Sequence, residues 1–353
     1  MELKQILEQT LSLGGSDVFI IPGSPVMAKV LGRMTPLTEQ RIMPSESRRL
    51  IAQAYELAQQ RDLKLLTDSG DDDFSFSLDR VCRFRCNAYL QRGTLAATLR
   101  VVAFGLPNPK ELSIPEQVMN LTGMHNGMIL VTGPAGSGKT TTLACMVDRI
   151  NHSRSGHIIT IEDPIEFLHP HGTSLVSQRE VPNDSPTFGR ALRAALRQAP
   201  DVIMLGEMRD YETMQTAITA AETGHLLLSS LHTVGAAKTI DRIIDAFPAN
   251  QQQQIRIQLS MVLRAVVSQR LVPGKDGGLI PVFEIMVSNS AIQNMIRDGK
   301  THQIDNVIYG GVADKNMMAM DSELVKLYRA GKITKEVAIT YAVNADAMKK
   351  KLL

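Results

Sequence analysis

The stretch VTGPAGSGKTTT, residues 131–142, decides the fold of the larger part of this chain. It fits the pattern G-x-x-x-x-G-K-[ST] at every position and follows an apolar run that is typical of a buried strand. In such a loop the glycines let backbone N–H groups converge on phosphate oxygens. The lysine reaches the β and γ phosphates, and the adjacent threonine ligates Mg²⁺. The stretch therefore predicts a strand, a phosphate-binding loop and a helix that begins near Thr140.

The residues of this loop are the predicted binding site for ATP. The partial positive charge of a helix N-terminus adds to the attraction of such a loop for phosphate. The alternative is a flexible glycine turn with an incidental lysine, and the strand and helix on either side argue against it. The predicted ligands are Gly133, Pro134, Ala135, Gly136, Ser137, Gly138, Lys139, Thr140 and Thr141, and Thr140 is also predicted to hold Mg²⁺.

The bulk composition is that of a globular protein. The 353 residues are 44% apolar and 21% charged, which is enough chain for two domains with their own cores. A formal net charge of +2 does not by itself indicate a nucleic acid or an acidic membrane as partner. No apolar run approaches the roughly 18 to 20 residues that cross a bilayer. The first residues mix charges into their apolar positions, unlike an export signal, and we expect a cytoplasmic location.

The pattern of apolar residues changes along the chain and predicts two domains. Residues 1–104 combine helical spacing with period-two alternation, which predicts a small α+β domain. Residues 105–116 contain three prolines and are predicted to form a linker. Residues 117–353 begin with alternating buried strands and helices, which predict a doubly wound α/β sheet. From about residue 236 onward the pattern is mainly helical.

Two finer expectations concern the first domain. Residues 28–34, AKVLGRM, are expected to form one strand, and residues 44–68 have a serine-rich start and the spacing of a helix.

Acidic residues follow two of the predicted parallel strands. Glu162 and Asp163 end the run HIITIED, and Glu207 follows DVIMLG. The carboxyl ends of parallel strands meet at the crevice where such sheets bind ligands. Each carboxylate alone could be a strand-end cap or an ion-pair partner. Together with a phosphate loop, they predict groups that position magnesium and water.

Two histidines flank the apolar run LLLSSL. His225 precedes the run and His232 follows it. A lone histidine at a strand end is commonly a hydrogen-bonded structural residue. His232 could instead sense the γ phosphate, and no third ligand at suitable spacing supports a metal role for either residue.

Four sequence boxes in order resemble one family, the secretion ATPases of type II secretion and type IV pili, and within it the pilus retraction ATPases. The boxes are the Walker A stretch GPAGSGKT, the acidic box ITIEDPIEF, the Walker B stretch DVIMLGEMRD and the histidine box TGHLLLSSLHT. The resemblance extends over nearly the whole chain. It includes SDVFIIPGSPVMAKVLGRMTPL and RFRCNAYLQRG in the first domain.

This resemblance implies a fold and a set of residue roles. The fold is a RecA-like P-loop NTPase domain preceded by a smaller α+β, PAS-like domain. Glu162 is similar to the catalytic carboxylate that polarises the attacking water, Glu207 to the magnesium-binding carboxylate, and His232 to a residue that contacts the γ phosphate. Arg85 and Arg100 are similar to first-domain arginines that reach the phosphates. The alternative for these arginines is a solvated sheet face.

The resemblance also implies an assembly, partners and a reaction. The expected protein is a hexameric, Mg²⁺-dependent ATPase at the inner face of the cytoplasmic membrane. It works with an inner-membrane platform protein and the pilus machinery, and no nucleic acid is expected. Residues 291–300, AIQNMIRDGK, are similar to a motif of retraction members, with departures at three positions. On periodicity alone they could equally form an ordinary amphipathic helix.

Other functions stay open at this point. A pilus-assembly or secretion ATPase of the same family uses the same boxes. A RecA-type nucleic-acid motor would need aromatic side chains on which bases can stack. Aromatic residues are only 4% of this chain, and tryptophan is absent. A scaffold without turnover is disfavoured by the intact Lys139, Thr140, Glu162 and Glu207.

Overall fold

A computed structural model describes residues 2–59, 61–78, 82–102, 105–310 and 316–352. The chain divides into two compact units, Met1–Gly105 and Leu106–Leu353. The predicted domain boundary lies partly outside the described residues, since residues 103 and 104 are among those not described. Residues 106–116 of the predicted linker belong to the second unit, where Ile114 is buried against its core.

The N-terminal unit is an α+β domain. Its six strands form one antiparallel sheet in the order β3-β2-β1-β6-β5-β4. Alternate side chains of the fifth strand, among them Phe84 and Cys86, point into a core that the helices cover. The elements are α1 Leu3–Ser12, β1 Gly15–Ile20, β2 Met27–Val30, β3 Arg33–Pro36, α2 Pro44–Leu57, α3 Lys64–Ser69, β4 Asp71–Leu78, β5 Cys82–Gln91 and β6 Thr94–Val102.

Two local expectations for this unit are wrong. Residues 28–34 do not form one strand, because β2 and β3 are joined by a tight turn at Leu31 and Gly32, which both have positive φ. Residues 44–68 do not form one helix. The chain leaves α2 at Gln59, whose positive φ is incompatible with a continuing right-handed helix, and α3 begins later.

The C-terminal unit is an α/β domain on a seven-stranded sheet. The strand order is β13-β12-β7-β11-β10-β8-β9, and all pairs are parallel except β12 with β13. The elements are α4 Glu116–Asn120, β7 Gly127–Thr132, α5 Lys139–Ser153, β8 His157–Glu162, β9 Leu175–Glu180, α6 Phe188–Ala195, β10 Val202–Leu205, α7 Tyr211–Glu222, β11 Leu226–Leu231, α8 Ala236–Asp245, α9 Ala249–Val262, β12 Leu263–Pro273, β13 Leu279–Val287, α10 Ser290–Arg297, α11 Ile304–Gly310, α12 Met320–Arg329, α13 Lys335–Tyr341 and α14 Ala345–Lys351.

Helices cover both faces of this sheet. Along β7, Met128 and Leu130 pack into the core formed with α6 to α9, whereas Ile129 and Val131 pack against α5. The central strands β7, β10 and β11 are buried along their whole length. This two-sided burial explains why they appear in the sequence as continuous apolar runs. Because β7, β11, β10 and β8 are parallel neighbours, their carboxyl ends lie at one edge of the sheet.

The expectation of a mainly helical segment after residue 236 is wrong for residues 263–287. These residues form β12 and β13, an antiparallel pair at one edge of the sheet. Nearly all of the first half of β12 is buried on both faces, so its sequence lacks the alternation that marks a strand. The edge strand β9 was not among the predicted elements. Its sequence LVSQRE is largely polar and has no continuous apolar run.

Helices α10 to α14 complete the unit. Ile292 and Ile296 of α10 are buried in the same core as the sheet, so residues 291–300 pack as an amphipathic helix followed by a turn. Among the described residues, no helix combines the length and the apolar character that a membrane span requires.

Candidate nucleotide-binding and catalytic site

The phosphate loop joins the buried end of β7 to the start of α5. Gly133, Gly136 and Gly138 all have positive φ, a region that other residues rarely adopt. A Cβ atom on Gly133 would lie 2.2 Å from the main-chain oxygen of Gln269 on β12. The glycines are therefore required by the backbone conformation and, at Gly133, also by the approach of a neighbouring strand.

Lys139 is the first residue of α5 and its ammonium group lies within the loop. Its Nζ donates to the main-chain oxygens of Gly133 at 3.0 Å and Pro134 at 2.9 Å. Burial lowers the pKa of Lys139, and the charge of Glu207 acts in the opposite direction. The loop also buries Ser137, whose Oγ has no hydrogen-bond partner among the described residues. Both side chains offer donors where a phosphate group would lie.

A cleft of about 250 Å³ opens beside the loop at the carboxyl ends of the parallel strands. The geometry follows from the sheet order, because β11, β10 and β8 end side by side next to β7. The residues that line the cleft include Ala135, Gly136, Lys139 and Thr140 of the loop, Glu162, Asp163 and Glu166 of the acidic box, and Glu207, Arg209 and His232. The predicted carboxylates and histidine thus share one cleft with the phosphate loop.

Glu207 is the centre of a charged cluster in this cleft. Its Oε1 accepts from Nη2 of Arg209 at 2.5 Å, and its Oε2 lies 3.3 Å from Nε2 of His232. Burial alone would raise the pKa of Glu207, but the hydrogen bonds and charges of Arg209 and His232 outweigh it and lower the pKa. Glu207 is therefore an ionised carboxylate beside the phosphate loop, as a magnesium-binding role requires.

Glu162 is a different kind of carboxylate. Its side chain is 4% exposed. Its Oε1 accepts from Oγ1 of Thr160 at 2.6 Å and from Nε2 of Gln178 at 3.2 Å. Burial raises its pKa to about 7, although both hydrogen bonds favour the ionised form. A carboxyl group that titrates near neutral pH is suited to proton transfer.

Arg85 and Arg100 lie in the N-terminal unit, directly opposite each other on β5 and β6. Nε of Arg100 donates to Oδ1 of the buried Asp17 at 2.9 Å. Burial opposes ionisation of Asp17, but Arg100 and Ser16 outweigh it and lower the pKa of this carboxyl. Both arginines line a pocket of about 340 Å³ within their own unit. Two like charges directly opposite each other repel, and the carboxylate of Asp17 offsets part of this repulsion.

Comparison with known proteins places this arrangement in a family. The family model for type II/IV secretion system proteins matches residues 94–349. The chain belongs to this family. It is 40% identical over 338 residues to the type IV pilus retraction ATPase PilT of Pseudomonas aeruginosa, covering 96% of this chain and 97% of that protein. The type IV pilus ATPase PilU of the same organism is 38% identical over 350 residues, covering 99% and 91%.

A solved structure is also similar along the whole length. The crystal structure of the pilus retraction motor PilT with bound ADP matches with a TM-score of 0.91 and 42% identity, and 99% of each chain is covered. The family resemblance and the RecA-like α/β fold that the sequence boxes predicted are thereby confirmed.

In this secretion ATPase the acidic box contributes a third carboxylate, which was not among the predicted site residues. Glu166 is exposed and lines the same cleft as Glu162. Arg209, two residues after Glu207, was also missed. The sequence signal for both residues was their position inside the quoted boxes. Only the structure shows that they line the cleft.

The secretion ATPase has a second cavity that also borders the phosphate loop. It has a volume of about 640 Å³ and is more apolar than the cleft. Gly138 and Thr141 of the predicted loop line it, together with Gln269 and Leu271 of β12, and segments near residues 111–114, 275–281 and 331–332. No motif in the sequence indicated this cavity, because its walls come from four distant parts of the chain.

His225 lies away from the cleft. It precedes β11 at the amino end of that strand, where its Nδ1 is 2.9 Å from the main-chain oxygen of Ala220 and 3.2 Å from Oγ1 of Thr223. These contacts fit the structural role that is ordinary for a histidine at a strand end. Among the described residues, no group of three or more His, Cys, Asp or Glu side chains could hold a metal ion.

Proposed function

We propose that this chain is a Mg²⁺-dependent ATPase that drives retraction of type IV pili and hence twitching motility. The observation that carries the proposal is the cleft in which the intact phosphate loop, Glu162, Glu207 and His232 meet. The supporting comparison is the likeness over the whole chain to a retraction motor solved with ADP.

The loop residues bind the phosphates of ATP in this proposal. Backbone N–H groups of the loop and Nζ of Lys139 contact the phosphate oxygens. Mg²⁺ prefers a few protein oxygens together with phosphate oxygens and water, and the hydroxyl of Thr140 and the ionised Glu207 supply such ligands. The metal ion neutralises phosphate charge. His232 contacts the γ phosphate, and its position beside Glu207 favours this role.

The second cavity receives the ribose and base. The cleft borders Lys139 and Thr140, and the cavity borders Gly138 and Thr141, so both adjoin the phosphate loop. A nucleotide whose phosphates lie on the loop can extend in this direction. The largely apolar lining suits a flat ring system.

Glu162 orients and polarises the attacking water. Its raised pKa lets it accept a proton near neutral pH and release it again. Glu166, exposed in the same cleft, is the competing candidate. Replacing either glutamate by glutamine removes the charge and keeps the shape.

Hydrolysis is coupled to movement through the N-terminal unit. Arg85 and Arg100 supply positive charge to the phosphates, and loss of the γ phosphate removes those contacts. The working assembly is a homohexameric ring in the cytoplasm, at the inner face of the cytoplasmic membrane. An inner-membrane platform protein of the pilus machinery receives the motion. Full ATPase turnover by a strictly monomeric preparation would show that hydrolysis does not require the ring.

The chemical part is tested with Glu162→Gln and Glu166→Gln, with the exposed Glu222→Gln on α7 as the matched control. We expect Glu162→Gln to bind ATP while kcat falls by about 10²-fold or more, as loss of a general base does. Near-normal turnover in Glu162→Gln together with this loss in Glu166→Gln would transfer the role to Glu166.

The biological part is tested by counting surface pili in the host that carries Lys139→Ala, beside wild type, by electron microscopy. An excess of pili with lost motility supports retraction. Bare cells would mean that the ATPase assembles pili. Unchanged counts would point to another secretion system or to a redundant paralogue.

A further inference from the structure

One buried hydroxyl connects the phosphate loop to the turn that follows His232. Ser268 of β12 lies in register with Thr132, the last residue of β7 before the loop. Their hydroxyl oxygens are 2.7 Å apart, and Ser268 Oγ also accepts from the main-chain N–H of Gly235 at 2.7 Å. The exposed fractions of Thr132 and Ser268 are 0% and 1%.

The same turn is held by further buried contacts. The main-chain N–H of Ala236 donates to Oε1 of Glu284, which lies opposite Ser268 in the β12–β13 pair, at 3.2 Å. Oγ1 of Thr239 donates to the main-chain oxygen of Gly235 at 2.7 Å. Two consecutive N–H groups at the start of α8 are thus bound by side chains of neighbouring strands. Their position is set by β12 and β13.

The next residue of β12 contacts the opposite face of the sheet. Gln269 Oε1 accepts from Oγ1 of Thr142 in the first turn of α5 at 2.7 Å. Its main-chain oxygen is the atom that a Cβ on Gly133 would approach. Successive residues of a strand point to opposite faces. Ser268 and Gln269 therefore contact the start of α8 and the start of α5 respectively.

We propose that Ser268 is a positioning residue that sets the place of His232 relative to the phosphate loop. His232 precedes Gly235 by three residues on the turn that Ser268 holds. Without the hydroxyl, the N–H of Gly235 loses its acceptor in a buried site, which is unfavourable unless the turn moves. A displaced turn carries His232 away from a γ phosphate on the loop. The inference rests on the proposed binding of ATP and extends it to the distinction between ATP and ADP.

The test compares Ser268→Ala with Ser229→Ala, a matched control. Ser229 is equally buried on β11, and its Oγ has no hydrogen-bond partner among the described residues. The affinities for MgADP and for a non-hydrolysable MgATP analogue are measured by calorimetric titration, together with Tm. The preference is the affinity for the ATP analogue divided by the affinity for MgADP. We expect this ratio to fall at least roughly tenfold in Ser268→Ala, the effect of one hydrogen bond to a charged group. Affinity for MgADP should match that of the control.

Three further variants show whether the effect passes through His232. His232→Ala should lose the same preference, and the double variant Ser268→Ala/His232→Ala should lose no more than His232→Ala alone. Thr132→Val leaves the bond to Gly235 in place and should lose less than Ser268→Ala. Ser268→Thr retains the hydroxyl and should restore the preference.

Several results would overturn the inference. One is an unchanged preference for the ATP analogue in Ser268→Ala. Another is an equal loss of affinity for both nucleotides together with a lower Tm, because that result would mean that the hydrogen bond is purely structural. Additive losses in the double variant would show that Ser268 does not act through His232. If wild-type protein binds neither nucleotide, the proposed function fails as well, and this outcome is distinct from the others.

Discussion

Gln178 on β9 binds Glu162 and, where the acidic box ends, the main chain of Phe167 and His169 with one side-chain amide. Its Nε2 donates to Oε1 of Glu162 at 3.2 Å and to the main-chain oxygen of Phe167 at 2.9 Å. Its Oε1 accepts from the main-chain N–H of His169 at 2.7 Å. A residue outside all four sequence boxes thus orients the proposed catalytic carboxylate.

Replacing Gln178 by leucine should change the pH dependence of hydrolysis. The amide stabilises the ionised form of Glu162, so its loss should raise the pKa of Glu162 above its value of about 7. The acid limb of the kcat profile should move upward by about one pH unit, the effect of one hydrogen bond to a charge. Measuring kcat from about pH 5.5 to 9 gives the midpoint of this acid limb.

The exposed Gln215→Leu on α7 is the control for this experiment and should leave the limb in place. An unshifted limb in Gln178→Leu would mean that Glu162 is not the group that titrates.

Glu284→Gln should make stability less dependent on pH. Burial raises the pKa of Glu284 from 4.5 to about 7, so the folded chain holds this proton more tightly than the unfolded chain. The resulting stabilisation is fully present below pH 4.5 and is lost as pH rises through about 7. Glutamine is always neutral and keeps the acceptor for the N–H of Ala236.

The free energy of unfolding in urea, measured at several values between about pH 5 and 8, should therefore have a flatter slope in the variant. The difference is on the order of 1 kcal/mol per pH unit at most, because one proton is involved. Glu222→Gln is the exposed control. Parallel slopes for Glu284→Gln and wild type would contradict a raised pKa at this position.

Gly133→Ala should destabilise the chain more than Gly136→Ala. Both residues have positive φ, but a Cβ on Gly133 would lie 2.2 Å from the main-chain oxygen of Gln269, whereas nothing lies within 4 Å of one on Gly136. The first change should cost about 2 kcal/mol or more, and the second about 1 kcal/mol from backbone strain alone. Denaturant unfolding without nucleotide separates these costs from any effect on binding. Equal losses of stability in the two variants would mean that β12 shifts to accommodate the added Cβ atom.

Arg85→Gln and Arg100→Gln should reduce hydrolysis if these arginines reach the phosphates. We expect kcat to fall by about 10³-fold or more for each, the effect of losing an arginine that stabilises the transferred phosphoryl group. Arg92→Gln, at an exposed turn of the same unit, is the control and should retain full turnover. Normal turnover in all three variants would favour the alternative of a solvated sheet face.

The local and periodic features of the fold could be predicted from the sequence. The central strands β7, β10 and β11 and the start of α5 follow from apolar runs and from the glycine pattern. The strand β9 did not follow because its sequence is largely polar, and β12 and β13 did not follow because their residues do not alternate clearly between apolar and polar. Leu31 and Gln59 interrupt the predicted elements because both have positive φ. Leucine and glutamine do not predict this backbone conformation.

The sequence by itself determined the chemistry of the site: a phosphate loop with Lys139 and Thr140, and carboxylates at strand ends that a parallel sheet brings to one edge. It did so because residue type and spacing specify these features locally. Only the tertiary structure decided which residues support them. Thr132 and Ser268 are 136 positions apart, and Gln178 meets Glu162 only because β9 pairs with β8. Such contacts depend on strand order, and no local pattern encodes strand order.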